Sequence, residues 1–107
     1  LVRRAIQRGG GEIIPVDSEH SAAFQLIQGE GRPSIASIVL TASGGPFLDL
    51  PAAKWGDVTP EQAVRHPRWS MGSKISVDSA TMMNKALEVL EAHWLFGLTP
   101  EQIEVVI

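Results

Sequence analysis

Residues 17 to 20 read Asp17-Ser18-Glu19-His20, which sets two carboxylates, a hydroxyl and an imidazole in four consecutive positions. Two carboxylates that reach one point repel and raise each other's pKa unless a cation lies between them. A third would complete a facial set of oxygen ligands, and Glu88 is the candidate, one turn beyond Asn84 on the polar face of an amphipathic segment. The chain has no cysteine, so any metal must be held by Asp, Glu or His, which favours Mg²⁺ or Mn²⁺ over a structural zinc. Ser43, Ser79, Asn84 and Lys85 supply hydroxyl, amide and ammonium donors suited to a phosphate. Gly44 and Gly45, in T-A-S-G-G-P-F, add a turn whose backbone N–H groups can point at an anion. Plainer readings stand beside these. Asp17 or Ser18 would cap a helix and Glu19 would favour its dipole; the serines would be caps and turns, and Lys85 a solvated helix lysine. His66, in R-H-P-R-W-S-M-G, is either a flap residue closing on a ligand or a surface histidine at a helix end. Trp69 and Met71 are either satellite core or an apolar lid, which matters where water must be excluded.

Positioning these groups falls to four apolar, β-branched runs, 12–16, 35–41, 74–77 and 104–107, which read as strands alternating with helices. Their near-continuous apolar character predicts a sheet covered on both faces, hence an α/β fold with a small, mostly parallel sheet flanked by helices, α+β being the alternative. Ligands bind outside the carboxyl ends of such strands. Three strands end in polar groups: Asp17-Ser18-Glu19, Thr41 to Gly45, and Asp78-Ser79. V-D-S thus occurs twice, each time after an apolar run. Pro15 lies inside the first strand and predicts an edge or a broken pairing. T-P-E-Q also occurs twice, at 59–62 and 99–102, each a capping box with Pro at the first helical position. The longest helix is predicted over 80–96, capped by Ser79 and ended by Gly97. Met83, Leu87, Leu90 and Trp94 form its packing face, and Asn84, Lys85, Glu88 and Glu91 its working face.

Composition sets the outer bounds. The 107 residues are 44% apolar and 20% charged, an ordinary globular balance for one domain with a radius of gyration near ~13 Å. A net charge of −3 leaves no basic field for nucleic acid. No apolar run approaches the ~18 residues of a membrane span, and the absence of cysteine suits a reducing cytosol. The chain opens without Met and stops on V-V-I, so both ends read as cut.

Four stretches carry a resemblance: P-V-D-S-E-H-S-A-A-F-Q, L-T-A-S-G-G-P-F, H-P-R-W-S-M-G and K-I-S-V-D-S-A-T-M-M-N-K-A-L-E-V-L-E-A-H-W-L-F-G. In this order they resemble the central catalytic domain of the 1-deoxy-D-xylulose 5-phosphate reductoisomerases over nearly the whole chain. The resemblance implies a metal-assisted rearrangement of the deoxyxylulose phosphate, then hydride reduction by NADPH to 2-C-methyl-D-erythritol 4-phosphate, in non-mevalonate isoprenoid biosynthesis. By position it implies Asp17, Glu19 and Glu88 as Mg²⁺ or Mn²⁺ ligands and Ser18 as a contact to the chelated end of the substrate. Ser43, Ser79, Asn84 and Lys85 match the substrate and phosphate pocket, with His66 and Trp69 in the flap above it and Met71 and Gly72 beside the nicotinamide. The implied catalytic set is Asp17, Ser18, Glu19, Glu88 and His66. His20 has no implied role beyond supporting the ligands. Ser73 departs from the Arg common in M-G-R-K. No G-x-G-x-x-G fingerprint occurs, so the family's N-terminal NADPH-binding domain and C-terminal helical domain are expected outside these 107 residues, and the piece alone is expected to be inactive. A homodimeric, cytoplasmic parent enzyme (plastid if from a plant), with no nucleic-acid or membrane partner, completes the expectation. The alternative is a module that binds a phosphorylated ligand without chemistry.

Overall fold

The structure, a computed structural model, describes residues 2–66 and 70–107. Its helices are α1 (Val2–Gly9), α2 (Ser18–Glu30), α3 (Pro60–Ala63), α4 (Ser73–Ala80) and α5 (Met83–Phe96). The strands are β1 (Ile38–Thr41) and β2 (Ile103–Val106), and short 3₁₀ turns link several elements. The two strands pair in parallel, Ile38 opposite Ile103 through Thr41 opposite Val106, and Ala42 N–H extends the ladder by donating to the Val106 carbonyl (2.8 Å). The α/β class and its parallel sheet are thus as expected, but the sheet is half the predicted size. No described helix is long and apolar enough to cross a membrane.

Two predicted strands are not strands. Residues 12–16 have no regular secondary structure: Pro15 is buried and has no N–H to give a ladder, while Ile14 and Val16 are exposed. Residues 74–77 lie inside α4. β-branched residues cost only a few tenths of a kcal/mol each in a helix, and here local bonds oppose that cost. Lys74 Nζ lies 2.5 Å from Asp78 Oδ2 at i,i+4, and Ser76 Oγ donates to the Gly72 carbonyl at 3.0 Å. Ser76 and Ala80, also at i,i+4, form the buried side of the helix.

The helix predicted over 80–96 is likewise divided. Residue 79 is in the last turn of α4 rather than at a cap, and α5 starts only after Met82, which is left-handed at φ 61°. A bulky residue there costs about 1–2 kcal/mol, yet the turn is closed by Met82 N–H donating to the Ser79 carbonyl and Ala86 N–H to the Met82 carbonyl. Gly97 ends α5 in the left-handed conformation as predicted (φ 64°), and the Arg32 guanidinium donates to the Phe96 and Gly97 carbonyls, which the helix leaves unsatisfied.

The face of α5 that packs is the reverse of the expected one. Trp94 is 58% exposed and Met83 and Leu90 are also exposed, whereas Lys85 is 7% and Glu88 3% exposed. The buried stripe runs Lys85, Glu88, Ala92, Phe96, spaced by three and four as one helix face requires. Its apolar end joins Leu98 in the core, against Phe24, Ile27, Ile38 and Ile103. Its charged end faces the site. This core is small, and the molecule is elongated, 48 × 28 × 22 Å with a radius of gyration of 16.4 Å rather than ~13 Å.

Candidate metal and substrate site

Helix α2 begins where Pro15 leaves the chain extended, and Asp17 caps it: Asp17 Oδ1 accepts from the backbone N–H of Glu19 (3.1 Å) and His20 (3.4 Å). Capping fixes where Asp17 and Glu19 project. Helix α5 delivers Glu88 to the same place from the other side, and one carboxylate oxygen from each of Asp17, Glu19 and Glu88 lies within 4.8 Å of the others. Lys85 Nζ bridges two of them, 3.0 Å from Glu19 Oε1 and 2.5 Å from Glu88 Oε2. Asn84 Nδ2 donates to Glu88 Oε1 (2.5 Å), and Ser18 Oγ to Glu19 Oε2 (2.7 Å).

These charges are unequal in their ease. Burial pushes Glu88 above the usual carboxylate range, and the nearby charges of Glu19 and Asp17 act the same way; Lys85 opposes them through a hydrogen bond and its charge without winning. Burial acts on Glu19 too, but hydrogen bonds from Ser18 and Lys85 outweigh it and hold Glu19 low. For Lys85, burial favours the neutral amine, yet Glu88 and Glu19 prevail and raise it. The Lys85 ammonium faces two carboxylates, while the burial of Glu88 is opposed by one ammonium and reinforced by two like charges. The cluster therefore has an excess of negative charge at close range, which a divalent cation would offset. Its donors are hard oxygens, the set suited to Mg²⁺ or Mn²⁺.

The carboxylates form one end of a cleft of about 660 Å³. Asp17, Ser18, Glu19, Ser43, His66, Met71, Ser79, Asn84, Lys85 and Glu88 all line it. Gly72 does not. It immediately precedes α4, with its carbonyl accepting from Ser76 N–H (3.1 Å) and Oγ. Trp69 lies outside the described residues. Across the cleft, Ser43 Oγ and His66 Nε2 are 2.9 Å apart, which ties the turn after β1 to the segment after α3.

The turn after β1 forms the remaining wall through close backbone contact. Gly44 and Gly45 are left-handed (φ 79° and 69°), and a Cβ on Gly45 would lie 2.2 Å from the Ser79 carbonyl oxygen. That approach holds the end of α4, and with it Ser79, against the turn. Only this part of the wall follows a strand. The residues expected at one rim of strands do line one cleft, but Asp17 reaches it from a helix cap and Ser79 from a helix end. Ile75 and Met82 also line the cleft and carry no signal at the level of residue type, since their placement depends on α4 and on the left-handed turn.

The family model for the 1-deoxy-D-xylulose 5-phosphate reductoisomerase C-terminal domain matches residues 13–96. The chain belongs to the 1-deoxy-D-xylulose 5-phosphate reductoisomerase family. It is 62% identical over all 107 residues to the reductoisomerase of Ruthia magnifica subsp. Calyptogena magnifica, and 57% identical to that of Geobacillus sp. (strain WCH70). It spans 28% of the length of each of these relatives. Among solved structures it resembles a reductoisomerase in complex with NADPH, fosmidomycin and magnesium, with a TM-score of 0.85 and 45% identity over 98% of this chain and 28% of that one. It also resembles the Zymomonas mobilis reductoisomerase in complex with NADPH, with a TM-score of 0.79 and 47% identity over 95% of this chain and 26% of that one.

Proposed function

We propose that these 107 residues are the metal- and substrate-binding part of an NADPH-dependent reductoisomerase that converts 1-deoxy-D-xylulose 5-phosphate to 2-C-methyl-D-erythritol 4-phosphate. The observation that carries the reading is the convergence of Asp17, Glu19 and Glu88, from the start of α2 and the buried face of α5, onto one end of a cleft whose other walls carry amide, ammonium and hydroxyl donors. Asp17, Glu19 and Glu88 would hold the divalent ion, Mg²⁺ or Mn²⁺, which when bound supplies Lewis-acid polarisation of the substrate oxygens. The chain's own residues do the positioning. Ser18 and Lys85 stand beside the carboxylates and orient the polar end of the substrate. Asn84, Ser79 and Ser43, with the left-handed glycine turn, offer donors to its phosphate, and binding energy from that remote group fixes the reacting carbons. His66, linked to Ser43, closes the cleft from the segment after α3. Met71 and Gly72 would stand beside the nicotinamide when NADPH is bound.

Most of the NADPH contact, a homodimeric assembly and a cytosolic setting belong on this reading to the full-length enzyme, whose dinucleotide-binding and C-terminal helical domains lie outside these residues. The test is calorimetry of Mn²⁺ binding to the full-length protein, with and without Glu88→Gln. Wild-type protein is expected to bind one ion per chain and Glu88→Gln to bind at least about 10²-fold more weakly; equal affinities would refute the ligand assignment.

A further inference from the structure

His20 neither joins the three-carboxylate cluster nor lines the cleft wall, yet it is fully buried (0% exposed) and both ring nitrogens are engaged. Nε2 lies 2.9 Å from the backbone carbonyl oxygen of Glu88, and Nδ1 lies 3.0 Å from Asp17 Oδ1 and 3.5 Å from Glu91 Oε2. The ring stacks on Phe96 with centroids 6.2 Å apart, which roots it in the core. We propose that His20 is a positioning residue that fixes the Asp17 carboxylate relative to the turn of α5 carrying Glu88, and thereby sets the affinity of the cluster for its divalent ion.

A carbonyl and a carboxylate both only accept, so the ring bridges Glu88 and Asp17 with a hydrogen on each nitrogen, Nε2–H donating to the Glu88 carbonyl and Nδ1–H to Asp17. The bond to Glu88 sets the plane of the ring and points the Nδ1 edge at Asp17. Three donors then converge on Asp17 Oδ1: the backbone N–H of Glu19 and of His20, and the ring of His20. Two of the three hold the carboxylate to its own helix. The third alone ties it to α5, through the residue that supplies the opposing ligand. The other bridge between the two helices at this level, Lys85 with Glu19, uses ligand carboxylates themselves and so competes with the ion. His20 spans the same gap without using the Glu88 carboxylate, because it grips Glu88 by its backbone. Hydrogen-bonded partners behind metal ligands typically contribute 10–100-fold in metal affinity.

This inference rests on the metal site proposed above, and the experiment separates the two. Mn²⁺ binding is measured by calorimetry on the full-length protein without substrate or nucleotide, beside its metal-free melting temperature. His20→Phe keeps the ring against Phe96 and removes both polar bonds; it is expected to weaken Mn²⁺ binding 10–100-fold, with kcat near normal once the ion is saturating. His20→Asn, whose amide N–H can occupy the Nδ1 position, and His20→Gln, whose amide can reach the Glu88 carbonyl instead, each keep one of the two bonds and break the tie between Asp17 and α5; both are expected to bind Mn²⁺ roughly 10-fold or more weakly than wild type. A folded His20→Phe variant with unchanged Mn²⁺ affinity would overturn the proposal, as would an Asn or Gln variant that binds as tightly as wild type. If His20→Phe does not fold, the Asn and Gln variants decide it on the same terms. Wild-type protein that binds no Mn²⁺ would refute the metal site itself, and His20 with it.

Discussion

Val16-Asp17-Ser18 and Val77-Asp78-Ser79 are the same tripeptide in two settings. In the first, Asp17 caps α2, takes backbone N–H groups and faces Glu19 and Glu88 across the cleft. In the second, Asp78 lies in the last turn of α4, paired with the exposed Lys74, while Ser79 presses its carbonyl against Gly45. What precedes each copy accounts for the difference. Pro15 has no N–H with which to continue a helix backwards, and Asp17 is itself non-helical (φ −54°, ψ 136°), so an acidic residue followed by free N–H groups becomes a cap. Before Asp78 no residue interrupts the helix begun at Ser73, so the aspartate falls on its flank and finds a lysine at i,i+4. T-P-E-Q shows the contrary case. Both copies bring their own Pro, and in both a Gln side chain accepts from the Thr backbone N–H, at 2.8 Å for Thr59 and 3.1 Å for Thr99. A motif that contains its own helix start keeps its local bonding wherever it falls, although the first copy opens α3 and the second only a 3₁₀ turn leading into β2.

The strongest test of the contrast exchanges charge for amide at each aspartate. Asp17→Asn keeps a good capping side chain and removes only a ligand charge, so kcat/KM of the full-length enzyme is expected to fall roughly 10³-fold, the equivalent of several kcal/mol of metal-derived stabilisation. Asp78→Asn loses an exposed i,i+4 pair and should leave the rate within about twofold. Comparable losses in steady-state assays would erase the distinction. Next in size is Gly45→Ala, which puts a methyl group against the Ser79 carbonyl and forces a left-handed Ala. A loss of about 2–4 kcal/mol in denaturant unfolding is expected, and an unchanged midpoint would show that α4 is not held there.

The smallest effect concerns the T-P-E-Q pair. Glu61 and Glu101 are both held below the ordinary carboxylate value of 4.5 by backbone N–H groups and by Thr59 and Thr99 respectively. A folded-state pKa below the unfolded one gives stability that is present above the carboxylate range and is lost as pH falls through it. Glu61→Gln and Glu101→Gln should therefore each flatten the acid limb of the stability curve slightly and alike. Unequal changes in urea midpoints between neutral and acidic pH would break the equivalence of the two boxes.

These contrasts also mark where the sequence was readable. Asp17 as a cap, the T-P-E-Q boxes and Gly97 rest on bonds within four residues, and all were legible. The convergence of Asp17, Glu19 and Glu88 was legible as an expectation, the first two from their adjacency and the third from the polar face of its helix. The conformation of 74–77 was not: β-branched composition favours a strand, and what opposes it is the fit of Ser76 and Ala80 into a packed face. The left-handed Met82 carries no Gly or Asn to announce it. That Lys85 and Glu88 would be buried was not legible, because charge normally seeks water, whereas here the two pair within a buried stripe that Ala92 and Phe96 extend into the core.

The contact between Gly45 and the Ser79 carbonyl also has a meaning for inheritance. Every amino acid reachable from a glycine codon by one base change carries a Cβ, and each would meet that oxygen. Variation in this wall of the cleft must therefore enter at neighbouring positions, while position 45 has no single-step exit that keeps the turn and α4 in place.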